Sequence, residues 1–239
     1  MHARRPGRRP AVLFAGSVAL LLSVWNNAVM PRLPDRWYVP VNLSATAVLL
    51  AAARRSGSSW TGLGFDRDQV RAGLRWGGVP AGVVAVAYAG ALSVPAARPL
   101  LADARVAGLR RGDVVRQVLV RIPLGTVVWE EVAFRGVLLA ALLRVLPARA
   151  AVLVSAGLFG VWHVAPTRSA LAANGLAPGP LPTAVAVTAG CLATGAAGWL
   201  FAEMRLRSGS LLAPVLLHLA ANDLGLLAAV AATAAGEAG

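Results

Sequence analysis

The chain has 239 residues, of which 57% are hydrophobic and 14% charged, with a mean hydropathy of +0.66. Soluble domains run at about 45–50% apolar and about 25% charged, so this composition excludes an ordinary soluble fold. The net charge of +13 comes entirely from arginine, since the sequence holds no lysine. A pI near 11.8 usually suggests nucleic acid. Here the arginines lie between apolar blocks, where they set membrane topology instead. The one cysteine, Cys191, sits inside an apolar block and can form no internal disulfide.

The apolar residues gather into blocks of ~16–25 residues, the length that crosses ~30 Å of hydrocarbon as a helix. The blocks do not alternate as barrel strands do. The sequence therefore predicts an all-α, polytopic transmembrane bundle of about seven spans, integral to a membrane such as the plasma membrane. In chain order, a basic cytoplasmic tail over 1–10 carries Arg4, Arg5, Arg8 and Arg9. The first block, 11–30, ends in Asn26, Asn27, Val29 and Met30, with no small-x-small cleavage site. It reads as a retained helix with an inside N-terminus, in preference to a signal peptide.

A second block, 38–53, stops at Arg54 and Arg55. Residues 65–78, with Asp66, Arg67, Asp68, Arg71 and Arg75 among apolar positions, suit a helix lying at the interface. Further spans are expected over 79–97, 122–143, 150–165, 182–203 and 210–235, with Pro40, Pro80, Pro123 and Pro182 near helix starts. The chain divides into the tail, the N-terminal helices and arginine-rich connectors of 11–121, and a C-terminal core over 122–235. An inside N-terminus puts the arginine-bearing connectors 54–78, 144–149 and 204–209 in the cytoplasm. The basic connector 98–121 then falls on the other side, against the rule, which calls for an interfacial segment or a different helix count. Ala186, Gly190, Thr194 and Gly198 recur at four-residue spacing, a stripe that lets helices approach closely.

Ionisable groups inside apolar helices are costly and are functional candidates by default. The fourth block holds Glu130, Glu131 and Arg135, the fifth His163, and the seventh His218, Asn222 and Asp223. Glu131 and Arg135, Phe159 and His163, and His218 and Asn222 are each i,i+4 pairs on one helix face. Three polar stripes are best satisfied by facing one another in an interior cavity. A glutamate base beside a histidine can activate water, and a histidine and an asparagine one turn apart can donate to an oxyanion. Glu130, His163 and His218 are also a plausible nitrogen and oxygen set for Zn²⁺. The same groups suffice without metal, and an asparagine is an ordinary oxyanion donor but an unusual zinc ligand, which favours the metal-free reading. The bland alternatives are that Glu131 and Arg135 form a buried ion pair only, and that Trp129, Phe134, Phe159 and Trp162 are packing residues.

The set E-E-x-x-x-R, F-x-x-x-H and H-x-x-x-N, in order on separate hydrophobic helices, resembles the CAAX protease and bacteriocin-processing (CPBP, Abi) family of intramembrane endopeptidases. The resemblance covers about Trp129 to Asp223. It implies that Glu130 activates water, that Glu131 is its companion, and that Arg135 is structural. It further implies that His163 assists the base, and that His218 and Asn222 act as an oxyanion pair or as metal ligands. It also implies peptide or protein substrates at the bilayer, and no nucleic acid. No H-E-x-x-H and no G-x-S-x-G is present, and Gly62-Leu63-Gly64-Phe65-Asp66 has the wrong spacing for an aspartyl G-x-G-D site. The rival readings are a transporter with a buried Glu/His proton relay and a silent immunity or scaffold protein of the same fold.

Overall fold

The computed structural model describes residues 7–176 and 179–237; the start of the basic tail, residues 1–6 with Arg4 and Arg5, lies outside the described residues. The described chain is all-helical, without strands. Its principal helices are α1 (Arg8–Val24), α2 (Tyr38–Arg55), α3 (Val70–Ser93), α4 (residues 111–142), α5 (Ala148–Trp162), α6 (Val164–Ala173), α7 (Pro180–Ser208) and α8 (residues 212–237).

Among the described residues, five helical stretches are long and apolar enough to cross a membrane: Arg8–Arg32, Trp60–Ser93, Ala148–Ala173, Pro180–Ser208 and Leu212–Gly236. The protein is therefore an integral membrane protein, with two fewer such stretches than the seven expected. The two that fall short, α2 and α4, are helical but polar. Helix α2 carries Asn42 and Thr46 and ends in Arg54 and Arg55, while α4 carries arginines in its first turns and Glu130, Glu131 and Arg135 at its centre.

Two other expectations change. The expected interfacial helix over 65–78 is absent as a separate element; α3 starts at Val70 and runs unbroken past Pro80, and so takes Arg71 and Arg75 into the spanning helix. The connector expected over 98–121 ends early. Short 3₁₀ turns at Pro95–Leu101 and Ala104–Val106 give way to α4 at Arg111, so Pro123 lies inside a helix rather than at its start. That helix accommodates the proline in a π-helical stretch, Gln117–Val127, where the α ladder is already altered.

Loop contacts sort the connectors into two sets. Arg144 donates to the Ser56 carbonyl at 2.9 Å, and the Leu211 amide donates to the Gly64 carbonyl at 2.9 Å. At the other end, the Ala104 amide donates to Asn174 Oδ1 at 2.8 Å, and Asn174 Nδ2 donates to Asp103 at 3.0 Å. Successive helices thus run up and down the bundle.

Helix α4 is the hub. From Val127 to Leu139 it is buried on almost every side, the pattern of a helix surrounded by others. Ala15, Val18, Leu22, Leu49 and Ala53 from α1 and α2 join Phe134, Leu138, Ala151, Phe159 and Trp162 in one core. Gly125 lets Tyr38 lie against α4, since a Cβ there would come within 2.9 Å of the Tyr38 ring. On the outside, Leu13, Leu20, Val83, Val86 and Leu192 are exposed, as expected of helices facing lipid. The small-residue stripe of α7 does pack closely. A Cβ at Gly190 would meet Thr167 at 2.7 Å, and one at Gly198 would meet Phe159 at 3.0 Å.

Candidate active site

The site forms where α4, α5 and α8 meet α7. Glu130 and Glu131 are consecutive on α4, at the change from an α turn to a second π-helical stretch, Glu131–Leu138. A further π-helical stretch, Ala220–Leu224, carries Asn222 and Asp223 on α8. Such π segments are rare and recur at functional sites.

Glu131 is completely buried and Arg135 nearly so, at 0% and 1% exposure. Arg135 Nη1 lies 3.2 Å from Glu131 Oε1. Its guanidinium also stacks over the Phe159 ring, Cζ at 3.9 Å from the centroid, and lies 4.9 Å from that of Phe201. The same Glu131 Oε1 is 2.8 Å from His218 Nδ1. That contact fixes the imidazole plane and turns Nε2 toward Glu130, whose Oε2 is 3.9 Å away. Phe201 stacks on the other face of His218, with centroids 5.1 Å apart. Glu130 Oε1 accepts a 3.0 Å hydrogen bond from the indole nitrogen of Trp162. Glu130 Oε2 and Glu131 Oε2 are buried without a hydrogen-bond partner among the described residues.

Two expected members stand apart. His163 ends α5, and its Nδ1 makes a 2.7 Å hydrogen bond with the Phe159 carbonyl one turn back. It reaches the rest of the site through the Phe159 ring, which lies 4.6 Å from His163 and 6.2 Å from His218. Asn222 lines a cavity of about 620 Å³ with Tyr88, Gln117 and Arg121, a cavity that Glu130, Glu131 and His218 do not line. Buried Asp223 Oδ1 is likewise without a hydrogen-bond partner among the described residues.

The donors considered for zinc do not close into a site. Among the described residues no three His, Cys, Asp or Glu side chains are placed to hold a metal ion. Nδ1 of His218 faces Glu131 and Nδ1 of His163 a backbone carbonyl, so Nε2 is the ring nitrogen of each that remains open.

Trp162 is more than a packing residue, because its indole N–H holds one oxygen of Glu130. The clue in the sequence was a tryptophan within an apolar span. An indole N–H there has no water to bond and favours an acceptor in the protein, although that of buried Trp129 has none among the described residues.

A buried Glu–Glu–His cluster at the hub of a polytopic helical bundle defines the class: a membrane protein with ionisable side chains gathered among its helices. Residues 115–224 match the family model described as type II CAAX prenyl endopeptidase Rce1-like. The match spans somewhat under half of the chain, agrees with the family that the motifs resemble, and contains every candidate residue from Glu130 to Asp223. Against curated proteins and against solved structures the chain has no significant match. The matched description is that of an endopeptidase, which favours a hydrolase over a proton-relay transporter.

Proposed function

We propose that the protein is an intramembrane endopeptidase that hydrolyses peptide bonds of membrane-associated or leader-bearing substrates with water activated by Glu130. The observation that supports this most is the free Oε2 of Glu130, buried, unpartnered and 3.9 Å from His218 Nε2. A water held at Oε2 gives up a proton to the carboxylate as its oxygen attacks the substrate carbonyl carbon. The tetrahedral oxyanion needs donors. On this reading His218, its ring set between the two glutamates, supplies Nε2–H. Asn222, on a cavity that His218 and the glutamates do not line, takes no part in this step. Glu130 then delivers its proton to the leaving amine, and the oxyanion collapses to a carboxylic acid and a free amine. Glu131 orients His218, Arg135 balances Glu131, and His163 supports the base region through Phe159.

The test uses protein reconstituted in vesicles, with a fluorogenic farnesylated peptide ending in a CAAX sequence, its unprenylated counterpart, and an apolar leader peptide. Glu130→Gln keeps an acceptor for Trp162 but cannot take a proton. Its cleavage rate is expected to fall by about 10²–10⁴, the usual worth of a general base. A Glu130→Gln variant that cuts at the wild-type rate overturns the mechanism. Wild-type protein inert toward all three substrates favours the silent scaffold instead.

A further inference from the structure

The helix break that presents Trp162 and His163 is held open from outside the matched domain. Between α5 and α6 two successive rungs of the α ladder are missing. The first would join the Ala165 amide to the Val161 carbonyl. In its place the Asn27 side chain is inserted: Nδ2 donates to the Val161 carbonyl at 2.8 Å, and Oδ1 accepts from the Ala165 amide at 2.9 Å. The second rung cannot form, because residue 166 is proline and has no N–H. Its orphaned acceptor, the Trp162 carbonyl, receives Asn26 Nδ2 at 3.2 Å. Both asparagines come from the π turn Trp25–Val29 that ends the first span. Trp25 on the same turn packs on Trp129, with centroids 5.5 Å apart, and Trp129 packs on Trp162 at 6.2 Å.

Within a bilayer no water is available to satisfy a broken ladder, so protein groups must do it. Without Asn27 the chain can close the Ala165–Val161 rung. That closure winds α5 into α6 and rotates the residues between, which are Trp162, His163 and Val164.

We propose that Asn27, assisted by Asn26, is a positioning residue of the active site: by standing in for a missing helix rung it fixes the Trp162 indole on Glu130. The consequence for catalysis rests on the reading of Glu130 as the base, but the positioning itself can be observed without any substrate.

The experiment labels tryptophan with ¹⁵N in the full chain in detergent micelles and follows the indole N–H resonances. Trp162→Phe assigns the Trp162 signal, and Glu130→Gln is expected to shift it. Asn27→Ala is expected to shift the same signal toward that of an unbonded indole, while the signal of surface-lying Trp60 stays in place. Asn27→Asp keeps the acceptor for Ala165 and loses the donor to Val161, so its shift should be intermediate. In the cleavage assay, Asn27→Ala is expected to lower kcat about tenfold or more, the scale of a lost hydrogen bond to a charged group, with KM little changed. Asn27→Ala added to Trp162→Phe should cost no further activity, since both act through one contact. An Asn27→Ala spectrum with the Trp162 resonance unmoved overturns the proposal, as does a fully additive double variant. If Glu130→Gln retains activity while the resonance still moves, the positioning stands and the catalytic reading fails. Should Asn27→Ala not fold, Asn27→Asp carries the same measurement.

Discussion

His218 Nδ1 lies 2.8 Å from Glu131 Oε1, and this single contact divides the labour between two adjacent glutamates. Glu131 Oε1 is shared between His218 and Arg135, the latter 3.2 Å away. Glu130 is held by the Trp162 indole, and its Oε2 faces His218 Nε2 at 3.9 Å.

The two glutamates should therefore fail differently. Glu131→Gln removes the counter-charge of a fully buried arginine, and breaking a buried pair costs about 3–5 kcal/mol. Melting in detergent should show a large loss of stability together with lost cleavage. Glu130→Gln should melt close to the wild type while losing cleavage. Equal melting temperatures for the two variants would contradict this division.

Metal removal is the next measurement. Exhaustive chelation with elemental analysis is expected to leave cleavage in place, since among the described residues no three His, Cys, Asp or Glu side chains are placed to hold a metal ion. Loss of activity restored by stoichiometric Zn²⁺ would reverse the expectation and make Glu130, His163 and His218 its ligands.

Helix α5 can be tested against α7 with two glycines. A Cβ at Gly160 would sit 2.5 Å from the Cys191 carbonyl oxygen, whereas one at Gly157 meets nothing within 4 Å. Gly160→Ala should destabilise by about 1–3 kcal/mol through overpacking, and Gly157→Ala should not. Melting curves of the two variants decide the matter.

At the connector end, the Arg105 guanidinium hydrogen-bonded to Asp103 holds that carboxyl well below the usual carboxylate range. A folded value below the unfolded one means the contribution is fully present at neutral pH. It is lost as pH falls below about 3.9 and on through the depressed folded value. Hydrogen exchange over residues 95–106 should therefore quicken in acid, and Asp103→Asn should reproduce that loosening at pH 7. Exchange independent of both would remove Asp103 as the clasp between this connector and Asn174.

Topology follows from the loop contacts and the arginines. Reporters fused at Gly57 and after Arg144 should both read cytoplasmic, because Arg144 bonds the Ser56 carbonyl. One at Ala107 should read the opposite side, with Asn174. Identical readings at Gly57 and Ala107 would break the alternation of helices.

The sequence by itself determined the membrane class, the all-helical architecture and the buried ionisable residues Glu130, Glu131, Arg135 and His218, though it missed buried Arg205. Each follows from a local property: the length of an apolar run, or a charge placed where lipid would be its solvent. Spacing was enough to pair Glu131 with Arg135, because i,i+4 neighbours on a helix meet whatever surrounds them. The tertiary structure alone decided the rest. It set His218 against Glu131, made Trp162 a ligand of Glu130, left Asn222 on a separate cavity, and inserted Asn27 into a helix 134 residues further along the chain. These are contacts between helices far apart in sequence. They depend on how each helix is rotated about its axis, and π turns and prolines shift that rotation by amounts that the apolar pattern does not record.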